Sequence, residues 1–426
     1  MSVAAEGTAQ TCPECGAEIR VDGRFTTWCA ACDWNVDPGQ PEEPQGRLER
    51  TRRALARRHG ERLLAEVTSS GALQPRRDAS ALLAHAIALA VHAVTLVLAA
   101  LGIWLFVRGL GGFGMVPGLF LLLVAWVLRP RPNRLPGDIP ALRRADAPEL
   151  FALLDEVGRV AGTRGVDAIV VRAELNASVT TYGVFGRRVL TIGLPLWEIL
   201  TPQERIALIG HEIGHFGNGD TRHGLVVGTA FHSLDAWCYF LAPIPQPTAL
   251  QMAVNVVSFL PYMAVQGVML LLDQLTLRAT QRAEYLADRV AARAGSTEAA
   301  VGLMDRLLVL DSAAVTLRRE ANQASLRGPR AGTTNDTEGL WERLAEAMAS
   351  IPEHEYERQR RAGARRGHSV DTTHPPTHLR RSCLLTAEPV AAAVPADPER
   401  DRRIAAELAD GRRRVTRQIL RHEFDD

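Results

Sequence analysis

The chain has 426 residues, enough for more than one domain. Its 49 basic and 48 acidic side chains leave a formal net charge of +1, so nothing in the charge balance points to nucleic acid as a partner. No lysine is present, and the arginine and alanine bias looks like high-GC coding rather than function.

The N-terminal 1–38 carry two Cys-x-x-Cys knuckles, Cys12-Pro13-Glu14-Cys15 and Cys29-Ala30-Ala31-Cys32. That is a zinc-ribbon pattern with tight spacing, in which four thiolates saturate a tetrahedral ion. Cys12, Cys15, Cys29 and Cys32 are therefore expected to hold a structural zinc closed to substrate. Trp28 and Trp34 are expected to cover a module too small to fold without metal. Disulfides are the alternative, disfavoured on a reducing side of a membrane. With no basic patch in the module, recruitment of protein or substrate is its expected role.

Residues 39–78 read as a Pro/Glu/Gly linker followed by an Arg/Glu-rich helix. Residues 79–107 and 109–128 then carry no Asp, Glu, Lys or Arg, and each stretch is long enough for a ~30 Å hydrocarbon core. Arginines cluster on both outer sides (Arg76 and Arg77 before, Arg129 and Arg131 after), and only Arg108 lies in the turn. The positive-inside rule makes 79–128 a transmembrane hairpin with both ends cytoplasmic. No apolar leader precedes residue 79, so the hairpin is the expected anchor. His85 and His92 within it could suggest a metal, although helix packing is the commoner use.

The central region, 129–386, begins with a proline-rich stretch. A helix is expected near 147–161, with short strands near 168–172, 178–185 and 188–192. Thr201-Pro202-Gln203-Glu204 is a helix start: Thr201 as N-cap, Pro202 in the first turn and Glu204 closing a capping box. The helix it opens contains His211-Glu212-Ile213-Gly214-His215. Residues i and i+4 share a helical face, so both imidazoles can address one metal ion, and Glu212 can reach a water held there. Gly214 and Gly217 weaken the helix by about 1 kcal/mol each relative to alanine and are expected to leave room beside a metal. The bland alternative is a buried helix with two satisfied histidines.

Residues 236–272 are uncharged, and 224–242 with 249–272 could form two further membrane helices, broken by Pro243, Pro245 and Pro247. Asp235 argues for a protein-facing or shallow position of the first. Catalytic zinc usually takes a third protein ligand. The candidates are Glu284 and Asp288, one turn apart in Glu284-Tyr285-Leu286-Ala287-Asp288. One carboxylate could bind the ion while the other holds a ligand histidine. Residues 320–370, polar and Arg-rich, are expected to be a flexible cover or solvated helices. Residues 387–426 read as an Ala/Pro linker and a final helix whose Ile404, Leu408, Val415 and Ile419 form an apolar stripe for intramolecular packing.

In chain order, Asn176-Ala177, Ile192-Gly193-Leu194, the His211–His215 motif, Asn218-Gly219-Asp220, Glu284–Asp288 and His374-Pro375-Pro376 with Arg380 form a series of landmarks. Over about 140–385 this series resembles the HtpX-type membrane zinc metallopeptidases, the gluzincin family that also includes the CaaX prenyl proteases. The resemblance implies an α+β, mostly helical fold: a zincin-type metallopeptidase domain with a small edge sheet and transmembrane helices, here with an added N-terminal zinc ribbon. It implies one catalytic Zn2+ on His211, His215 and Glu284, beside the structural one, with Glu212 as general base. His374 and Arg380 would stabilise the oxyanion, and Asp288 and Asp220 would support the ligands. Asn176 and Ala177 would begin an edge strand that binds substrate as an added strand. The implied partners are polypeptides, membrane proteins among them, and the lipid bilayer, with a multi-pass placement and a cytoplasmic active site. Membrane protein quality control is the implied task. The alternative is a catalytically silent or narrow-substrate scaffold that binds partners through the ribbon; the intact Glu212 argues against it.

Overall fold

The computed structural model describes residues 8–38, 65–66, 79–110, 112–130, 135, 139–183, 185–217, 220–327, 339–366 and 375–421, without the side chains of 8, 79, 220–225, 277–279 and 327. Most of the expected linker and Arg-rich helix over 39–78 lies outside these residues, as do His374 and the side chain of Asp220.

At the N-terminus β1 (Thr8–Thr11) pairs antiparallel with β2 (Glu18–Val21), placing Thr8 opposite Val21. Two apolar helices follow, α1 (Ala79–Arg108) and α2 (Met115–Leu128). They cross closely because glycine lines the contact: a Cβ on Gly118 would sit 2.5 Å from the Phe106 backbone nitrogen. The second limb is shorter than the full span expected over 109–128. The turn occupies the glycine-rich stretch before Met115, leaving 14 helical residues where about 20 would cross a bilayer.

The globular part begins with β3 (Ala141–Leu142) and α3 (Pro148–Ala161). Pro148 starts α3, and Gly162 ends it at φ 68°, donating its N–H back to Arg159. Three strands come next: β4 (Ala168–Arg172), β5 (Ala177–Tyr182) and β6 (Arg187–Gly193). The sheet order is β3-β4-β6-β5, with β4 and β6 parallel and the other pairs antiparallel. Among the described residues β5 is therefore an outer edge, opening at Ala177 opposite Ile192.

A short α4 (Leu194–Ile199) leads into α5 (Pro202–Gly217), which carries both motif histidines. Next come α6 (Asp220–Leu241) and α7 (Ala249–Gly295). The sequence suggested separate helices for 249–272 and for Glu284; α7 joins them in one 47-residue rod, about 70 Å long. A reciprocal Thr248–Gln251 capping box starts it. Among the described residues, α1 and α7 are the two helices long and apolar enough to cross a membrane.

Ala84, Ala88 and Val91 of α1 pack with Val227, Ala230, Leu234 and Trp237 of α6 and with Val265 and Leu272 of α7. Leu96, Phe120, Val257 and Leu260 point outward and are more than half exposed, forming an apolar belt that needs a cover. His92 Nε2 lies 3.1 Å from the Val226 carbonyl oxygen and 3.2 Å from Thr229 Oγ1, so it joins α1 to α6. His85 hydrogen-bonds the Ala81 carbonyl on its own helix.

The remaining described helices wrap the main core: α8 (Thr297–Leu308), α9 (Leu310–Arg327), α10 (Leu340–Ala349), α11 (Glu353–Arg366), α12 (Thr377–Thr386), α13 (Pro398–Glu407) and α14 (Ala409–Leu420). Much of 320–370 is thus packed helix: Leu340, Leu344 and Met348 are core residues, and Glu355 and Arg358 are buried. The expected final helix is two, α13 and α14, meeting at Leu408. Ile404, Leu408, Val415 and Ile419 all lie in the main core with Leu150, Ile169 and Ile209. Their stripe packs inward, as its apolar spacing suggested.

Candidate active site

Helix α5 starts as its sequence dictates. Thr201 N donates to Glu204 Oε2 at 2.8 Å, and Glu204 N donates to Thr201 Oγ1 at 3.3 Å. The helix then runs against α7 at glycine-permitted distance. A Cβ on Gly210 would meet the Ala291 Cα at 3.0 Å, and one on Gly214 the Ala287 Cα at 3.0 Å. The room at Gly214 is thus filled by the neighbouring helix, not left beside a metal as expected. Gly217 likewise accommodates the Ala161 carbonyl of α3. This close crossing brings His211 and His215 against Glu284, a contact across some 70 residues of chain.

The three donors form a compact triangle. His211 Nε2 and His215 Nε2 are 3.3 Å apart; His211 Nε2 is 3.5 Å from Glu284 Oε2, and His215 Nε2 is 3.5 Å from Glu284 Oε1. Bonds of about 2.0–2.2 Å to a tetrahedral zinc imply donor–donor edges of roughly 3.3–3.6 Å. The observed edges match, and the donor set is two imidazoles and one carboxylate, which leaves a fourth position open. All three residues qualify as one candidate metal cluster. Glu284 is 1 % exposed, a burial that a carboxylate sustains only opposite positive charge. Glu212, 7 % exposed, follows His211 directly, and its charge acts on Arg380.

Behind His211 lies a support that fixes its state. His211 Nδ1 is 2.9 Å from Asp288 Oδ1. Burial would raise the Asp288 pKa, but the Arg380 charge, the Arg380 hydrogen bonds and that of His211 hold it down to about 2. As a carboxylate, Asp288 accepts the Nδ1–H and leaves the Nε2 lone pair free for a metal. Arg380 donates to Asp288 twice, from Nε at 2.9 Å and from Nη2 at 2.6 Å. Its Nη1 is 3.5 Å from Glu284. Burial and the Arg380 charge oppose a proton on His211, yet hydrogen bonds to Asp288 and Glu284 lift its pKa to about 10. The carboxylates therefore call for a cation at this imidazole.

Arg380 was expected at the oxyanion. The structure places it at the cluster, 5 % exposed: Nε and Nη2 grip Asp288, the carboxylate that orients His211, and Nη2 also lies 3.3 Å from His211 Nε2. Asn176 and Ala177 sit where β5 begins: Asn176 Oδ1 accepts the Ala177 N–H at 2.8 Å, and the Asn176 carbonyl accepts the Gly193 N–H at 2.8 Å. Gly193 is required there, because any Cβ would collide with the Glu174 and Asn176 carbonyl oxygens.

The N-terminal cysteines form the other candidate cluster. Cys12 Sγ is 3.7 Å from Cys32 Sγ, and Cys15 Sγ is 3.5 Å from Cys29 Sγ. Zinc–sulfur bonds of about 2.3 Å give tetrahedral edges near 3.8 Å, whereas a disulfide needs about 2.05 Å. All six cysteines are free thiols. The geometry fits four-thiolate coordination and not cross-linking.

The profile of Peptidase family M48 matches residues 146–388, more than half of the chain, including His211, His215, Glu284, Asp288 and Arg380 but not the N-terminal cysteines. The chain belongs to peptidase family M48. Two HtpX-type relatives are similar to parts of it. A Protease HtpX homolog of Methanothermobacter thermautotrophicus is 28 % identical over 139 residues, 32 % of this chain and 52 % of the relative. Protease HtpX homolog 1 of Sulfurisphaera tokodaii is 36 % identical over 81 residues, 18 % of this chain and 25 % of the relative. The chain thus spans about half the length of the first and a quarter of the second. No solved structure matches it.

Proposed function

We propose that this M48 protease is a membrane-anchored, zinc-dependent endopeptidase in which Glu212 is the general base. The carrying observation is the convergence of His211, His215 and Glu284 at tetrahedral spacing, with Glu212 buried on the same helical turn. Zinc held by these three residues supplies Lewis acidity for the scissile carbonyl and acidifies water toward a pKa of about 7. Glu212 takes the proton of the attacking water and returns it to the leaving amine. Asp288 keeps His211 in the tautomer that offers Nε2, and Arg380 keeps Asp288 ionised. His374 is assigned to the oxyanion by resemblance. An extended substrate pairs along β5 from Asn176-Ala177, a mode that recognises backbone and tolerates many side chains.

Membrane placement rests on α1 and α7, the outward apolar belt and the flanking arginines. Glu284 lies 11 residues beyond Asp273, the first charge after the apolar run, which is about 17 Å along the helix. A site that close to the bilayer surface favours membrane proteins as substrates and quality control as the task, with the active site cytoplasmic. The ribbon carries a second, structural zinc.

The test uses the full chain in detergent. Wild type should carry about two zinc per chain and cleave casein, whereas Glu212→Gln should keep both ions and cleave none. A wild type with two zinc that cleaves neither casein nor membrane-protein fragments would return the reading to a silent scaffold.

A further inference from the structure

The ribbon is not a free module: its second knuckle and the turn after it press onto α11. Arg361 donates to the Ala30 carbonyl at 2.7 Å and to Asp33 at 2.8 Å, with its guanidinium 5.2 Å from the Trp28 ring centroid. Arg365 reaches Asp33 at 3.3 Å, and Arg366 makes a two-pronged pair with Asp37 at 2.7 and 2.8 Å. Beneath them, Arg358 is 7 % exposed, is held by Glu355 through Nε and Nη2, and gives Nη1 to the Val36 carbonyl at 2.8 Å. A buried guanidinium that spends a donor on the ribbon loses that partner when the ribbon leaves. Exposed ion pairs are individually weak, but these surround a dry contact: Val36 is fully buried and Trp28 is 5 % exposed.

From α11 the contacts run on toward the metal cluster. Arg360 Nε lies 3.3 Å from Asp305 Oδ1 on α8, and Arg381 Nε on α12 donates to the same oxygen at 2.8 Å. Arg306, the next residue on α8, donates to Tyr356 Oη of α11 at 2.8 Å. Arg381 is adjacent to Arg380, which holds Asp288 and through it His211. The chain of contacts is therefore continuous: knuckle, α11, Asp305, α12, Arg380, Asp288, His211.

We infer that the ribbon is a positioning element of the peptidase site, acting through Asp305 as the residue that ties α11 to α12. Its zinc holds the knuckle whose Ala30 carbonyl and Asp33 carboxylate fix α11; α11 and α12 share Asp305, which sets where Arg380 meets Asp288. Asp33, Asp37, Asp305 and Arg381 are positioning residues, since none of them is among the residues of the metal cluster. This inference rests on the peptidase reading for its kinetic consequence alone; its structural consequence is readable without any substrate.

The test compares three full-length variants with wild type. Asp33→Asn with Asp37→Asn removes the ion pairs of the dock while sparing the four cysteines, and asparagine tolerates the Asp33 φ of 59°. Cys29→Ser with Cys32→Ser removes the ribbon zinc. Asp305→Asn cuts the link alone. Hydrogen exchange should rise about tenfold over 353–366 in the first two, and over 377–386 in all three. Zinc should stay near two per chain in the Asp variants and fall to one in the Cys variant. Casein kcat should fall about five- to tenfold with KM within about twofold, by the rule for residues supporting metal ligands. Unchanged exchange over 377–386 when 353–366 loosens would reduce the ribbon to a local cap and overturn the inference, as would undisturbed 353–366 in both ribbon variants. If no variant and no wild type cleaves casein but exchange spreads as stated, the positioning link stands and the peptidase reading fails by itself.

Discussion

The two candidate metal centres of this chain share a spacing and differ in what they leave over. In the ribbon, four thiols stand at edges of 3.5 and 3.7 Å, and nothing remains for a reactant. In the M48 site, two imidazole nitrogens stand 3.3 Å apart, each 3.5 Å from its own Glu284 oxygen, and three donor residues do not complete a tetrahedral shell. Their construction differs too. Cys12, Cys15, Cys29 and Cys32 come from two local turns within some 20 residues, whereas the M48 site needs two helices, α5 and α7, brought to glycine-limited distance. A closed centre can be encoded locally; an open one needs a scaffold that holds three donors without a fourth to complete the shell.

That comparison can be broken in order of expected effect. Glu284→Gln should empty the M48 site alone, reducing zinc from about two to one per chain and abolishing cleavage, while the ribbon keeps its ion; metal analysis and a casein assay decide. Glu212→Gln should lower kcat by about 10²–10⁴-fold with both ions retained, separating chemistry from binding. Asp288→Asn should cost about 10–100-fold in zinc affinity or activity, because the Nδ1 partner loses its charge; zinc titration of chelator-treated protein reads it. Thr201→Ala should remove about 1 kcal/mol of stability from the capped start of α5, visible as a lower Tm with both metals present.

Local features of the site were legible in the sequence. The Thr201–Glu204 box, the helical phase of His211 and His215, and the paired knuckles each depend on neighbours a few residues away, and chain-local physics decides them. Glu284 became assignable only as one of a series of ordered landmarks, since a Glu-x-x-x-Asp on a helix is common on solvated faces. Three things were not legible. The continuity of α7 was hidden because hydropathy changes at Asp273 while helix propensity does not, and an environmental boundary was mistaken for a backbone break. The task of Arg380 depends on a partner 92 residues away, which no periodicity encodes. The ribbon's seat on α11 is built from arginine–carboxylate pairs more than 320 residues apart, and from sequence those arginines read as a solvated face.

One rod, α7, carries both the apolar run and the third metal ligand, and this sets an order of assembly. During synthesis His211 and His215 are made before the α6–α7 pair, and Glu284 only in the far half of α7. The triad can close only once the far half of α7 has returned to α5. Closure of the candidate metal cluster is thus a late folding event, one that waits on the whole apolar run of α7.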